Sequence, residues 1–413
     1  MAAQPPFTAA PTKCKKTSLP KPFSAFNQGS NPMNFDFTEE QTMLRDSVAR
    51  FIQDNYDFPA RRAIADSDQA MSAENWATFA ELGWLSVPFA EEHGGFGGNA
   101  VDTMLLMEEF GKGLVLEPYL ATVVLFGGLL QAAGSAAQQA ELIPQIIDGS
   151  LLGSVAWQER QSRYALADIT TRATATDKGF TLHGEKVMVL NGMNAQQVIV
   201  AARTSGEQAD EHGISLFLVD ANDGAIERLG YRLMDGQLVA NLVFNNVEVP
   251  ASALVGELDA GYSMLEAALL SAKLALSAEA VGVMAQLNAK TLDYTKTRKQ
   301  FGVAIGSFQA LQHRMVDTFM AYEQARSMLY RAVCAVTNND ADMAVTIHAL
   351  AVMIARSGKL IGAEATQLHG GMGITDELDV THYAKRMMMI NACCGNSDYH
   401  QARFNALRYS KTG

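Results

Sequence analysis

The chain has 413 residues, 48% of them hydrophobic and 18% charged, so it carries enough apolar material for a large core and is unlike a disordered scaffold. A formal charge of −12, with no dense Lys/Arg block, argues against a phosphate backbone, and hence a nucleic acid, as partner. The four cysteines, Cys14, Cys334, Cys393 and Cys394, follow neither a zinc-ligand spacing nor a secreted disulfide framework, which predicts no metal site and a reducing, cytoplasmic setting.

Residues 1–35 contain Lys13, Lys15, Lys16 and Lys21 among Pro and Ser, with no acidic residue, no arginine and no apolar signal run. They read as a disordered tail, with Met33 available as an initiator. Residues 36–150 read as a helical domain: Thr38-Glu-Glu-Gln41 is a capping signal, and Met43, Leu44, Val48, Phe51 and Ile52 follow at helical spacing. The Gly-rich stretch Pro88–Gly98 lacks a preceding strand and is weak as a phosphate loop. The longest apolar run, Tyr119–Ala133, is too short to span a bilayer and includes Gly127, Gly128 and Gln131, so it reads as a buried helix rather than a membrane span.

Between 151 and 255 the texture becomes short β-like runs: Phe180–His183, Lys186–Leu190, Val198–Ala202, Ile214–Val219 and Leu242–Phe244, punctuated by Gly, Asn and Asp. With no helical pattern between them, they predict an antiparallel, barrel-like β-domain and exclude a dinucleotide-binding parallel sheet. Residues 256–413 return to long helical patterns, about 262–299, 308–338 and 341–368, broken at Gly302, Gly306, Gly370, Gly371 and Gly373. The expected fold is therefore α+β and multidomain: an N-terminal helical domain, a middle antiparallel β-domain and a C-terminal four-helix bundle.

Two stretches carry specific information: Thr297-Arg-Lys-Gln-Phe-Gly-Val-Ala-Ile-Gly-Ser-Phe-Gln-Ala-Leu-Gln-His313 and Gln367-Leu-His-Gly-Gly-Met-Gly-Ile-Thr375. Both resemble the paired C-terminal motifs of the acyl-CoA dehydrogenase family, flavoproteins that oxidise acyl-CoA thioesters to the 2,3-enoyl form. Glu91-Glu-His-Gly-Gly-Phe-Gly97, Gly184–Gly192 and Val247–Gly256 echo the same family. The resemblance implies FAD as cofactor, held across a subunit interface by Arg298, Phe301, Gln309, Gln367, Gly370 and Gly371. The residue types suit that task. A planar guanidinium matches a diphosphate, the aromatic ring and the amides supply stacking and hydrogen bonds, and the glycines admit close backbone approach. It also implies an acyl-CoA substrate and an electron-transfer flavoprotein as acceptor.

The family's chemistry requires a base for the proton alpha to the thioester while the flavin accepts hydride from the beta carbon. That base is normally a glutamate just before a glycine at fixed distance from the Gly-Gly-x-Gly motif. Gly395 stands 22 residues after Gly373, and the residue before it is Cys394. In members that carry the glutamate on the first long helix instead, the matching position is Ala272, followed by Lys273. The catalytic residue is thus unknown from the sequence. Asp398, four residues beyond Cys394 and on its face if helical, and Glu279, on the face of Ala272, are the remaining carboxylates to consider.

The β-domain departs too: Met188-Val-Leu190 replaces a Trp-x-Thr stretch that packs on the flavin, and Gln158-Glu-Arg-Gln-Ser-Arg163 replaces the preceding flavin-contacting loop. With Gly371–Arg386, these departures resemble the small subunits of two-component acyl-CoA dehydrogenases of the pimeloyl-CoA and steroid-degradation types. That resemblance implies a paralogous partner subunit that supplies the base. The alternatives are a homo-oligomer with an unconventional base, or an interaction subunit with a vestigial flavin site.

Overall fold

A computed structural model of the chain describes residues 37–409. The expectations for residues 1–35, Cys14 among them, lie outside that range. Helix α1 (Glu39–Asn55) starts directly after the predicted capping signal. In α2 (Phe58–Asp66) the Asp57 side chain accepts from the Ala60 amide and a proline occupies the first turn, both of which stabilise a start. Ser72 caps α3 (Ala73–Glu81), and Asn99 and Asp102 form a reciprocal capping box on α4 (Ala100–Gly113). The apolar run after α4 is helical and buried, but its first part, Leu120–Gly127, is a π-helix that passes into α5 (Gly128–Ala133) and then α6 (Ala136–Ile147).

The middle region forms an eight-stranded sheet in the order β6-β7-β3-β2-β4-β5-β8, with β1 joined to β4. The strands are β1 (Gly153–Ala156), β2 (Arg172–Thr176), β3 (Gly179–Leu190), β4 (Gln197–Arg203), β5 (Ile214–Asp220), β6 (Ile226–Arg232), β7 (Leu238–Pro250) and β8 (Leu254–Val255). Neighbours are antiparallel except for β1 against β4 and a single parallel pairing of β2 with β4. Two runs that read separately in the sequence, Phe180–His183 and Lys186–Leu190, are one strand, bent by register shifts against β7. Leu182, Val200, Phe217, Leu242 and Phe244 are fully buried in this domain's core.

The long helical patterns become α7 (Gly261–Thr297), α8 (Gln309–Thr337) and α9 (Met343–Leu368), followed by α10 (Asp379–Ala392) and α11 (Ser397–Tyr409). Helix α7 is buried along most of its length and lies so close to α4 that a Cβ on Gly282 would stand 1.9 Å from the Glu108 carbonyl oxygen, and one on Gly111 2.0 Å from that of Glu279. By length and composition α7 and α9 could each cross a membrane, yet 78% and 61% of their apolar windows are buried inside the protein, as expected of core helices. A two-strand hairpin, β9 (Lys299–Gln300) with β10 (Val303–Ala304), joins α7 to α8.

Candidate active site

The C-terminal end of α10 meets the middle sheet at a cleft of about 140 Å³. Its walls include Trp157 and Gln158 after β1, Met188 and Leu190 on β3, Leu120 and Leu125 of the π-helix, Leu276 on α7, and Arg386, Cys393 and Cys394. Cys394 also lines a hollow of about 20 Å³ on the far side, shared with Tyr164, Glu266, His348, Tyr399 and His400. The expected base position therefore does stand at a junction of two cavities, but it holds a thiol.

Lys273 explains the shape of this loop. Cys394 has φ +55° and Gly395 φ +110°, both in the left-handed half of the map, so the helix cannot continue through them. The carbonyls of Ile390, Cys393 and Gly395 turn inward and each accepts a hydrogen bond from the Lys273 Nζ at 3.0 Å. A buried ammonium thus satisfies carbonyls at a helix C-terminus and complements its dipole. Burial lowers the Lys273 pKa, and the neighbouring Cys394 and Cys393 oppose that shift. Tyr164 pins the same loop from the middle domain by donating to the Ala392 carbonyl at 2.8 Å.

The two sulfurs share a hydrogen bond in which either thiol can donate; that contact lowers the Cys393 pKa, and the same contact with burial pushes Cys394 well up. Cys394 is therefore a protonated thiol at neutral pH and no base. Ala272, the alternative base position, is fully buried and has no functional group.

Neither remaining carboxylate is placed to replace it. Glu279 is buried and held in two bonds by Arg386, Nε to Oε1 at 2.5 Å and Nη2 to Oε2 at 2.7 Å. The Arg386 Nη1 bonds Asp235 at 2.7 Å, and Arg61 reaches the Asp235 carbonyl oxygen at 2.6 Å. This network joins α2, the β6–β7 hairpin, α7 and α10. The expectation that Asp398 shares a face with Cys394 fails, because α11 begins only at Ser397, after the break at Cys394–Gly395. Asp398 is exposed and lines a separate groove instead.

The segment that departs from the flavin-contacting loop has its own anchor. The Lys186 Nζ donates to Glu159 at 2.7 Å, and Glu159 also accepts from the amides of Thr170 and Thr171. Burial alone would raise the Glu159 carboxyl, but Lys186 and these hydrogen bonds hold it down at about 2, while burial lowers Lys186 to about 8. The Val187 amide donates to the Gln158 carbonyl at 2.8 Å, and Met188 follows with φ +57°, at the bend of β3 and in the cleft wall.

The six motif residues stand elsewhere, at the far end of the bundle. Arg298 ends α7 and is exposed; Gln309, also exposed, starts α8. Phe301 and Gly302, with φ of +53° and +84°, form the hairpin turn between β9 and β10, and Phe301 is 92% exposed. A non-glycine residue held left-handed to present its ring to solvent is strain of the kind found at functional positions. Gln367, Gly370 and Gly371 line a groove of about 1130 Å³, whereas Arg298, Phe301 and Gln309 do not. A Cβ on Gly370 or Gly371 would meet no atom within 4 Å, so the backbone there is open to close approach. Tyr294 stacks on His369 at 4.3 Å and links the ends of α7 and α9, which brings two motifs far apart in sequence to one end of the fold.

Sequence reasoning missed the Arg386 network and the buried His348–His400 pair, whose Nδ1 atoms lie 2.8 Å apart. The only signal was composition: Arg386 directly precedes the apolar run Met387–Ile390, whereas His400 lies in the polar helix α11 and stands out by nothing.

Profiles of the acyl-CoA dehydrogenase N-terminal, middle and C-terminal domains match residues 38–150, 154–247 and 259–406 respectively. The chain belongs to the acyl-CoA dehydrogenase family. Its members are oxidoreductases that act on CH–CH bonds. Probable acyl-CoA dehydrogenase YngJ of Bacillus subtilis (strain 168) is 28% identical over 382 residues, 89% of this chain and 97% of that one. The solved structure of PigA with FAD and proline is 27% identical, with a TM-score of 0.85 over 92% of this chain and all of that one. The Tcur3481-Tcur3483 steroid ACAD G363A variant is 26% identical, with a TM-score of 0.81 over 90% of this chain and 98% of that one.

Proposed function

We propose that this acyl-CoA dehydrogenase is an FAD-dependent subunit that desaturates an acyl-CoA thioester only together with a paralogous partner, which supplies the base this chain lacks. The observation that carries the reading is Cys394 at the base position, with Ala272 buried at the alternative one and Glu279 locked by Arg386. The steroid enzyme similar to this chain is named as a pair of gene products, which agrees with a two-subunit site.

The residues present fit FAD. The cleft walls from Trp157, Met188, Leu190 and Leu276 suit a flat, mainly apolar ring system, and the open backbone at Gly370–Gly371 suits a close-packed dinucleotide. When bound, FAD supplies a hydride acceptor for the beta carbon. This chain's own contribution is to bind and exclude water. Arg298, Gln309 and Gln367 offer a charged fork and amides to a diphosphate, Phe301 offers a ring face, and the apolar walls dry the cleft. Because these motif side chains are exposed, they support contact with a cofactor shared across an interface. The exposed Phe301, Phe308, Val316, Phe319 and Met320 on the same bundle support a subunit there, whether a paralogue or a second copy. An electron-transfer flavoprotein is the proposed acceptor, and the free thiols suit a reducing, cytoplasmic location.

The test is expression of the chain alone and together with a paralogue that retains the glutamate, measuring flavin per chain and bleaching by acyl-CoA. The expected result is bleaching in the co-expressed pair that disappears when the partner's glutamate is replaced. A colourless pair would leave only an assembly role and contradict the proposal.

A further inference from the structure

The motif analysis leaves the two adjacent cysteines without a task, since the missing carboxylate accounts for only one of them. Their sulfurs lie 3.7 Å apart. A disulfide bond measures about 2.05 Å, so both are thiols in van der Waals contact. In an extended chain neighbouring side chains point to opposite faces. The left-handed Cys394 turns the two to the same wall, and both line the cleft beside Met188 and Leu276. Cys393 is half-buried, whereas Cys394 is buried.

Two features prime the pair. The Lys273 Nζ is held by the carbonyls of Ile390, Cys393 and Gly395, which places a fixed cation beside both sulfurs. A neighbouring cation favours thiolate and therefore nucleophilic sulfur. The two sulfurs are in hydrogen-bond contact, and Cys393 is the more exposed, so Cys393 takes the attacking role and the buried Cys394 the resolving one.

We propose that Cys393 and Cys394 form a reversible vicinal disulfide when a hydroperoxide enters the cleft, making the pair a redox modification site in its wall. The Cys393 thiolate attacks a peroxide oxygen, the O–O bond breaks, and Cys393 becomes a sulfenic acid as hydroxide leaves and takes up the proton that Cys393 released, giving water. The Cys394 sulfur then attacks the Cys393 sulfur, the S–S bond forms, the S–O bond breaks, and the Cys394 proton leaves with hydroxide as a second water. In total two thiols lose two hydrogens and two electrons, and hydrogen peroxide becomes two waters. Adjacent Cα atoms stand about 3.8 Å apart, closer than the roughly 4.4–6.8 Å usual for disulfides, so the ring is strained and a dithiol reopens it readily.

The experiment treats the full chain with one equivalent of hydrogen peroxide, alkylates it in denaturant and weighs its peptides. The peptide with both cysteines should become about 2 Da lighter and resist alkylation until dithiothreitol is added, while Cys334 stays fully alkylated. In Cys394→Ser the sulfenic acid should persist at Cys393 and be trapped by dimedone, and Cys393→Ser should lose the reaction. Full alkylation of both cysteines after peroxide, direct passage of Cys393 to sulfinic acid in the wild-type chain, or a bridge to another cysteine would overturn the proposal. No step requires flavin, so the test is run on the flavin-free chain, and its failure is distinguishable from a failure of the cleft to bind FAD.

Discussion

Around Cys394 three buried charged groups are answered within the chain: Lys273 by three carbonyls, Arg386 by Glu279 and Asp235, Glu159 by Lys186. At the far end of the bundle Arg298, Phe301, Gln309 and Gln367 are exposed, and among the described residues Arg298 forms no ion pair. Buried charges cost desolvation and persist only where geometry is fixed, whereas exposed motif residues add little to the fold. The cleft wall is thus held in shape by contacts within the chain, whereas the motif end is an exposed surface.

The largest expected effect breaks the inner region. Arg386→Met removes the guanidinium that pairs with the buried Glu279 and Asp235 and should lower unfolding free energy by about 3–5 kcal/mol in chemical denaturation. A loss below about 1 kcal/mol would mean that the carboxylates are hydrated or protonated. Lys273→Met strands carbonyls at the end of α10 and should cost about 2–3 kcal/mol, with faster amide exchange confined to the Cys393–Asn396 loop.

Acid should weaken the same region. Burial holds the His348 imidazole down at about 4 and that of His400 at about 3, so both are neutral in the fold. The unfolded chain takes up protons below about 6.5, which favours unfolding. Stability from this pair is complete above that pH and is lost as pH falls toward the folded values. The slope should approach about 1.4 kcal/mol per pH unit for each histidine, and His348→Phe should reduce the slope between pH 6 and 4.5.

The smallest stability effect belongs to the outer region. Arg298→Ala should change unfolding free energy by less than about 0.5 kcal/mol, yet strip flavin from the assembled protein as read by absorbance per chain. Unchanged flavin content would remove Arg298 from the cofactor site. Cys394→Glu sharpens the contrast from the other side: it should give the isolated chain substrate-dependent flavin reduction that Cys394→Ala does not.

The long helices were legible in the sequence because their apolar spacing runs for many turns; α7, α8 and α9 begin and end within about two residues of the expected limits. The sheet was less so. Strand β6 is a charged, exposed edge and β8 is only two residues long, so neither shows an apolar alternation. Motif spacing singled out Cys394, which the fold places in the cleft wall, but the surroundings of that residue were not legible. Arg61, Asp235, Glu279 and Arg386 come from four distant segments, and their pairing exists only once the chain is folded. The condition under which Asp398 would share a face with Cys394, an unbroken helix, is not met, since helical spacing cannot be carried through the two left-handed residues Cys394 and Gly395.

The most direct measurement of the central claim is anaerobic titration of the isolated, FAD-loaded chain with acyl-CoA, followed by flavin absorbance. The account predicts that the flavin stays oxidised until the glutamate-bearing partner is added. Full bleaching of the isolated chain at the rate of the assembled pair would contradict it, and would show that a base resides in this chain after all.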